Sequence, residues 1–112
     1  MSPRAIGAAT LAVLQSVAEG HRYGFDIIDR TGLPSGTVYP ALSTLERRGL
    51  VSARWEEESL ARVEARPRRR YYRVTGAGQQ ALREALARLE QMGLRGRGEA
   101  RRARRGLRDA EA

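Results

Sequence analysis

The 112-residue chain has no cysteine and a single histidine, and these two shortages exclude much. Without cysteine there is no disulfide framework and no thiolate metal site. His21 alone can complete neither a zinc site nor a catalytic relay. A signal-peptide pattern and a transmembrane run are both missing, since the longest mainly apolar stretch, residues 5–18, is interrupted by Thr10 and Gln15. The expected address is the cytoplasm. No histidine–carboxylate pairing, glycine-rich phosphate loop or metal-ligand spacing is present, so the expectation is a protein that is not an enzyme and needs no cofactor and no metal.

Lysine is also absent: all 21 basic residues are arginine. A lysine-free, alanine-rich chain points to a GC-rich coding sequence, so part of this bias is mutational. The charge it leaves is nonetheless +8, with an isoelectric point near 11.3, and asks for a polyanionic partner. Arginine's planar fork suits phosphate oxygens and the guanine edge. A membrane surface is the other polyanion, but no basic amphipathic anchor with an aromatic face is apparent. A chain this short is one domain with a modest core. Any helix with an uncovered apolar stripe is then expected to find a second copy.

The most informative stretch is residues 34–51. Ser35 is placed to cap a helix and Gly49 to end it. Val38, Leu42 and Leu45 form one apolar face at i, i+4 and i+7. Thr37, Tyr39, Ser43, Arg47 and Arg48 occupy the first turn and the opposite face, offering hydroxyls, a ring and guanidinium groups. Pro40 removes an amide near the start, which predicts a tight or irregular first turn. Taken alone, this is either an ordinary amphipathic core helix or a helix with a working outer face.

The surroundings favour the second. Residues 2–20 predict a first helix, with Ser2 as cap, Pro3 in the first turn, and Ile6, Thr10, Val13, Leu14 and Val17 at helical spacing. Leu11 and Ala18 widen its apolar surface. His21 falls in a solvated joint. Residues 23–30 predict a short second helix in which Phe25 and Ile28 pack inward and Gly24 marks a close backbone contact. Tyr23 at its start is either core filler or a phosphate contact. Gly32 permits the reversal into the third helix, and Leu33 plugs the core. Residues 50–55 and 70–74 then predict paired strands, with Tyr71 and Tyr72 on opposite faces. Helix, helix and two-stranded ribbon is the order of a winged helix-turn-helix, whose second helix enters the major groove.

In the tip joining these strands, Arg66, Arg68 and Arg69 are expected towards phosphate or the minor groove. Glu56, Glu57 and Glu58 should turn away on a solvated arm. Thr75 should cap a last helix over residues 76–92, where Leu82, Ala85, Leu86, Leu89 and Met92 form a stripe for dimerisation. Leu11 and Leu14 of the first helix would join that two-fold interface. Beyond, Gly93, Gly96, Gly98 and Gly106 interrupt seven arginines, and a disordered tail over residues 93–112 is expected. It either adds salt-sensitive DNA affinity or has no role. The fold class is therefore mainly α with a small β ribbon: a winged helix-turn-helix over residues 1–75, a dimerisation helix over 76–92, and the tail.

Tyr23-Gly24-Phe25-Asp26-Ile27-Ile28, Gly36-Thr37-Val38-Tyr39-Pro40-Ala41-Leu42, Leu45-Glu46-Arg47-Arg48-Gly49-Leu50-Val51, Trp55, Arg66-Pro67-Arg68-Arg69-Arg70-Tyr71-Tyr72 and Thr75-Gly76-Ala77-Gly78 together resemble the PadR family of bacterial transcriptional regulators. The resemblance covers roughly residues 5–90 and is closest to the family's short branch. It implies a homodimeric repressor on an inverted repeat of double-stranded DNA, with Tyr23, Ser35, Thr37, Tyr39 and Arg47 or Arg48 at the DNA face. It also suggests a small hydrophobic effector between the first and last helices. The arm over residues 57–65 departs from the family in being longer and poorer in glycine. Two other functions compete: a nonspecific nucleic-acid binder driven by the arginine-rich tail, and a helical interaction module that touches no nucleic acid.

Overall fold

The computed structural model of the protein describes residues 5–111. Ser2 and Pro3, expected to open the first helix, lie outside the described residues. In chain order the elements are α1 (Ala8–Ala18), α2 (Gly24–Thr31), α3 (Ser35–Arg47), β1 (Val51–Trp55), α4 (Glu58–Val63), β2 (Arg70–Val74) and α5 (Gly76–Glu111). Residues 1–82 and 83–112 form two compact units.

The first unit is built around one apolar cluster. Val13, Leu14 and Val17 of α1 meet Ile27 of α2 and Val38, Ala41, Leu42 and Leu45 of α3, and Leu50 and Val51 close it at the ribbon. Leu33 and Ile28 pack against this cluster from the side. Phe25 does not: it is 72% exposed, because α2 turns Gly24 and Ile27, each one position before the expected pair, into the core. α1 likewise begins later than expected, after Gly7, so Ile6 precedes the helix. His21 is tied to Asp26, Nδ1 lying 3.1 Å from Oδ1, so the joint is less open than a solvated loop.

The ends of α3 show why it is so well fixed. Pro34, not Ser35, is the capping residue, and Ser35 is the first helical position with no side-chain cap bond. The Pro34 carbonyl accepts from both Thr37 and Val38, at 2.9 and 3.0 Å, which gives the tight first turn that Pro40 demanded. At the other end Gly49 takes φ +70°, and the amides of Gly49 and Leu50 donate to the carbonyls of Glu46 and Leu45. This pair of bonds satisfies the last open carbonyls and turns the chain straight into β1.

β1 and β2 pair antiparallel, with Val51 opposite Val74 and Trp55 opposite Arg70. Thr75 caps α5 as expected: its hydroxyl accepts from the Gly78 amide at 3.0 Å and donates to the Gly49 carbonyl at 2.7 Å. α5 runs on to Glu111, through the residues expected to form the tail. Each glycine costs about 1 kcal/mol there. Extending an existing helix carries no nucleation cost, however, and arginine and alanine are among the best helix formers.

Candidate nucleic-acid interface

With Val38, Ala41, Leu42 and Leu45 sunk in the core, the other face of α3 is left outward. Ser35, Tyr39, Ser43, Arg47 and Arg48 are exposed there and Thr37 is half-buried. The Arg47 guanidinium donates to the Thr44 hydroxyl at 3.2 Å, a single weak surface bond that leaves most of its fork open. Tyr39 is 44% exposed and lies over the start of α2. A Cβ on Gly24 would come within 2.6 Å of its Cε1, so the expected close backbone contact exists and its partner is this ring.

The wing approaches the same place. A cavity of about 470 Å3 is lined by Tyr23, Tyr39, Trp55, Arg68, Arg69 and Arg70, among others. Arg69 places its guanidinium 4.1 Å from the centre of the Tyr23 ring, and Arg68 and Arg70 lie 5.7 and 5.2 Å from that of Trp55. Arginines stacked on rings keep their edges available for a further acceptor, and stacking restricts their many rotamers. Tyr23 is therefore more than core filler: it caps α2, carries Arg69 on its face, and meets Tyr71 edge-on at 6.1 Å.

The tip of the wing differs most from expectation. Residues 58–63 form the short helix α4, supported by Glu58 and Arg62 at i, i+4 and seated by the buried Ala61. Ala65 ends it at φ +52°, a left-handed conformation that alanine tolerates poorly. Glu56, expected to turn away into solvent, is 6% exposed. Its two carboxylate oxygens accept from the Nη1 and Nη2 of Arg66 at 2.7 and 2.9 Å, and one also accepts from the Tyr71 hydroxyl at 2.8 Å. The Arg66 bonds outweigh the opposing effect of burial and hold the Glu56 carboxyl down at about 2, while Glu56 in turn raises Arg66. Arg66 thus spends its fork on Glu56 inside the wing. Tyr71 is likewise engaged with Glu56, while Tyr72 packs on the core and its phenol is raised by burial.

Trp55, Arg70 and Glu56 enter this site without having been expected in it. Arg70 also bonds Glu46 of α3 at 2.8 Å, joining wing to helix. The alternation Trp55–Arg70 across the ribbon was readable once the strands were paired; the buried acid was not.

Of the residues expected at a dimer interface, Leu14 is fully enclosed in its own core. Leu11 and Ala85 are buried as well, and Leu82 packs against the core cluster. Leu86, Leu89 and Met92 remain exposed in a row along α5. Among the described residues no helix is long and apolar enough to cross a membrane.

A helix pair joined by a tight turn, followed by a ribbon whose tip returns beside the second helix, defines a winged helix-turn-helix of the kind found in DNA-binding transcriptional regulators. The sequence profile of the transcriptional regulator PadR-like family matches residues 13–84, and the chain belongs to that family. Among solved structures it is similar to a PadR-like transcription factor from Bacteroides fragilis, with a TM-score of 0.68 and 26% identity over 80% of this chain and 86% of that one. A PadR family regulator from Eggerthella lenta gives 0.65 and 26%, covering 81% and 79%. Bordetella bronchiseptica BpsR, whose DNA binding is regulated by 6-hydroxynicotinic acid, shares the fold at a TM-score of 0.66 but only 18% identity, over 84% of this chain and 67% of that one. No protein of curated function matches the chain significantly.

Proposed function

We propose that the protein is a homodimeric repressor that recognises an inverted repeat in double-stranded DNA. The observation that carries this reading is the cavity lined jointly by Tyr39, from the outer face of α3, and by the stacked arginines of the wing. Phosphates would be held by Arg68, Arg69 and the hydroxyls of Tyr23, Ser35 and Ser43. Thr37, Tyr39 and Arg47 would face base edges, with Arg48 at the groove's margin. A second copy would cover Leu86, Leu89 and Met92, setting two α3 helices about one DNA turn apart. Release by a small hydrophobic molecule is part of the proposal, supported by a fold shared with a ligand-regulated protein.

The test is binding to the inverted repeat nearest the gene, compared with a scrambled duplex, for the wild type and Arg47→Ala. If Arg47 is bidentate to guanine, the variant loses about 1–3 kcal/mol of specific binding and little on the scrambled duplex. An unchanged ratio between the two duplexes would remove Arg47 from base reading. A wild type that remains monomeric and makes no distinction between the duplexes would end the proposal as a whole.

A further inference from the structure

Among the described residues Glu56 is the only buried charged side chain, and it lies in the most basic part of the first unit. Coulomb's law alone makes a carboxylate beside Arg66, Arg68, Arg69 and Arg70 a handicap for binding a polyanion. Its bonding says otherwise. Besides the three hydrogen bonds its side chain accepts from Arg66 and Tyr71, its carbonyl accepts from the Nε of Arg68 at 2.8 Å. Its amide donates to the Arg69 carbonyl, also at 2.8 Å. Tyr71, held at its hydroxyl, sets its ring against Tyr23, and Tyr23 carries the guanidinium of Arg69. Every arginine from the tip that lines the cavity is therefore fixed through Glu56 or through a group that Glu56 holds. The carboxylate's own field is largely cancelled, because Arg66 neutralises it at hydrogen-bond distance.

We infer that Glu56 is a positioning residue for DNA binding: its carboxylate, through Tyr71 and the Tyr23 ring, holds Arg69 at the cavity beside α3, while its carbonyl holds Arg68. Removing this negative charge therefore weakens binding to DNA instead of strengthening it. The inference rests on the DNA-binding reading above and goes beyond it in sign. Wing contacts to phosphate are independent of sequence, so the probe is a labelled mixed-sequence duplex of about three helical turns, followed by fluorescence anisotropy across a salt series.

Glu56→Gln is compared with Glu57→Gln, which removes the same charge from an exposed neighbour. Glu56→Gln should bind about three- to tenfold more weakly, with the slope of log K against log salt shallower by about one phosphate contact. Glu57→Gln should bind as tightly as the wild type or slightly more so. Glu56→Gln binding as tightly as the wild type, or more weakly at an unchanged slope, overturns the positioning role. Should Glu56→Gln lose its helical circular dichroism, Tyr71→Phe decides, since it deletes only the hydroxyl bonded to Glu56. A shallower slope and lower affinity for that variant support the inference, and wild-type values overturn it. A wild type that binds no duplex at all defeats the DNA-binding reading itself, and this inference with it.

Discussion

α3 and the wing border the same cavity, but they are held there by opposite means. α3 is anchored by apolar side chains with no exposure at all, Val38, Leu42 and Leu45, and by backbone bonds at both ends. The wing tip has only Ala61 and the ribbon for apolar support, and is closed instead by one buried carboxylate and the arginines around it. Apolar burial is not screened by salt and involves no proton, whereas an ionic clasp depends on both. The helix should therefore be the invariant half of the surface and the wing the half that conditions can alter.

The largest effect is expected where the apolar anchor is cut. Leu45→Ala removes a fully buried side chain from the centre of the core cluster, and substitutions of this kind cost about 2–5 kcal/mol. In a small domain that is a large part of the total stability. Urea unfolding followed by circular dichroism should show the midpoint falling with little change in slope. A loss well under 1 kcal/mol would mean that α3 is held by its end bonds and that the contrast with the wing is overdrawn.

Acid should act on the wing first. Folding lowers the Glu56 carboxyl from its usual 4.5 to about 2, so between these values the unfolded chain binds more protons than the folded one. The stability contributed by this group is complete above pH 4.5 and is lost as the pH falls towards 2. The fluorescence of Trp55, beside Arg68 and Arg70, reports on the wing, and in this chain it is the only tryptophan. Its signal should change over that window in the wild type and stay flat in Glu56→Gln. A transition of the same size in both would assign the acid sensitivity to other carboxylates.

The same difference explains what could be read from the residues alone. α3 was legible because periodicity, a terminal glycine and an awkward proline are local patterns, and each has one structural answer. Even there the cap was misplaced by one position, since Pro34 pre-sets the extended backbone that a capping serine would otherwise supply. The wing was not legible, because Glu56 meets Arg66 and Tyr71 across ten and fifteen residues of chain. In sequence it is the first of three consecutive glutamates, and nothing local marks it off from its exposed neighbours. α4 was hidden for a related reason: six residues are too few for periodicity to declare, and the helix shows only as alanine, leucine and arginine where turn residues were expected. Phe25 failed differently, a large apolar side chain that α2 leaves outside by burying Gly24 and Ile27 instead.

The smallest effect on stability should fall at the seam between the two halves, and it is the most telling for function. An alanine methyl at position 24 would overlap the outer end of the Tyr39 ring, which is side chain and partly exposed, and so can swing away. Alanine also favours the helix over glycine, by up to about 1 kcal/mol in a helix interior and by less at this first position, which offsets part of the cost of displacing the ring. Gly24→Ala should therefore unfold within about 1 kcal/mol of the wild type, while Tyr39 leaves the position that α2 and the cavity give it. If Tyr39 faces DNA as proposed, the variant should bind the inverted repeat more weakly, and adding Tyr39→Ala should cost nothing further. Two losses that simply add would mean that Gly24 and Tyr39 act independently. The close approach of α2 to α3 would then serve packing, and the ring's place at the cavity would owe nothing to the missing methyl.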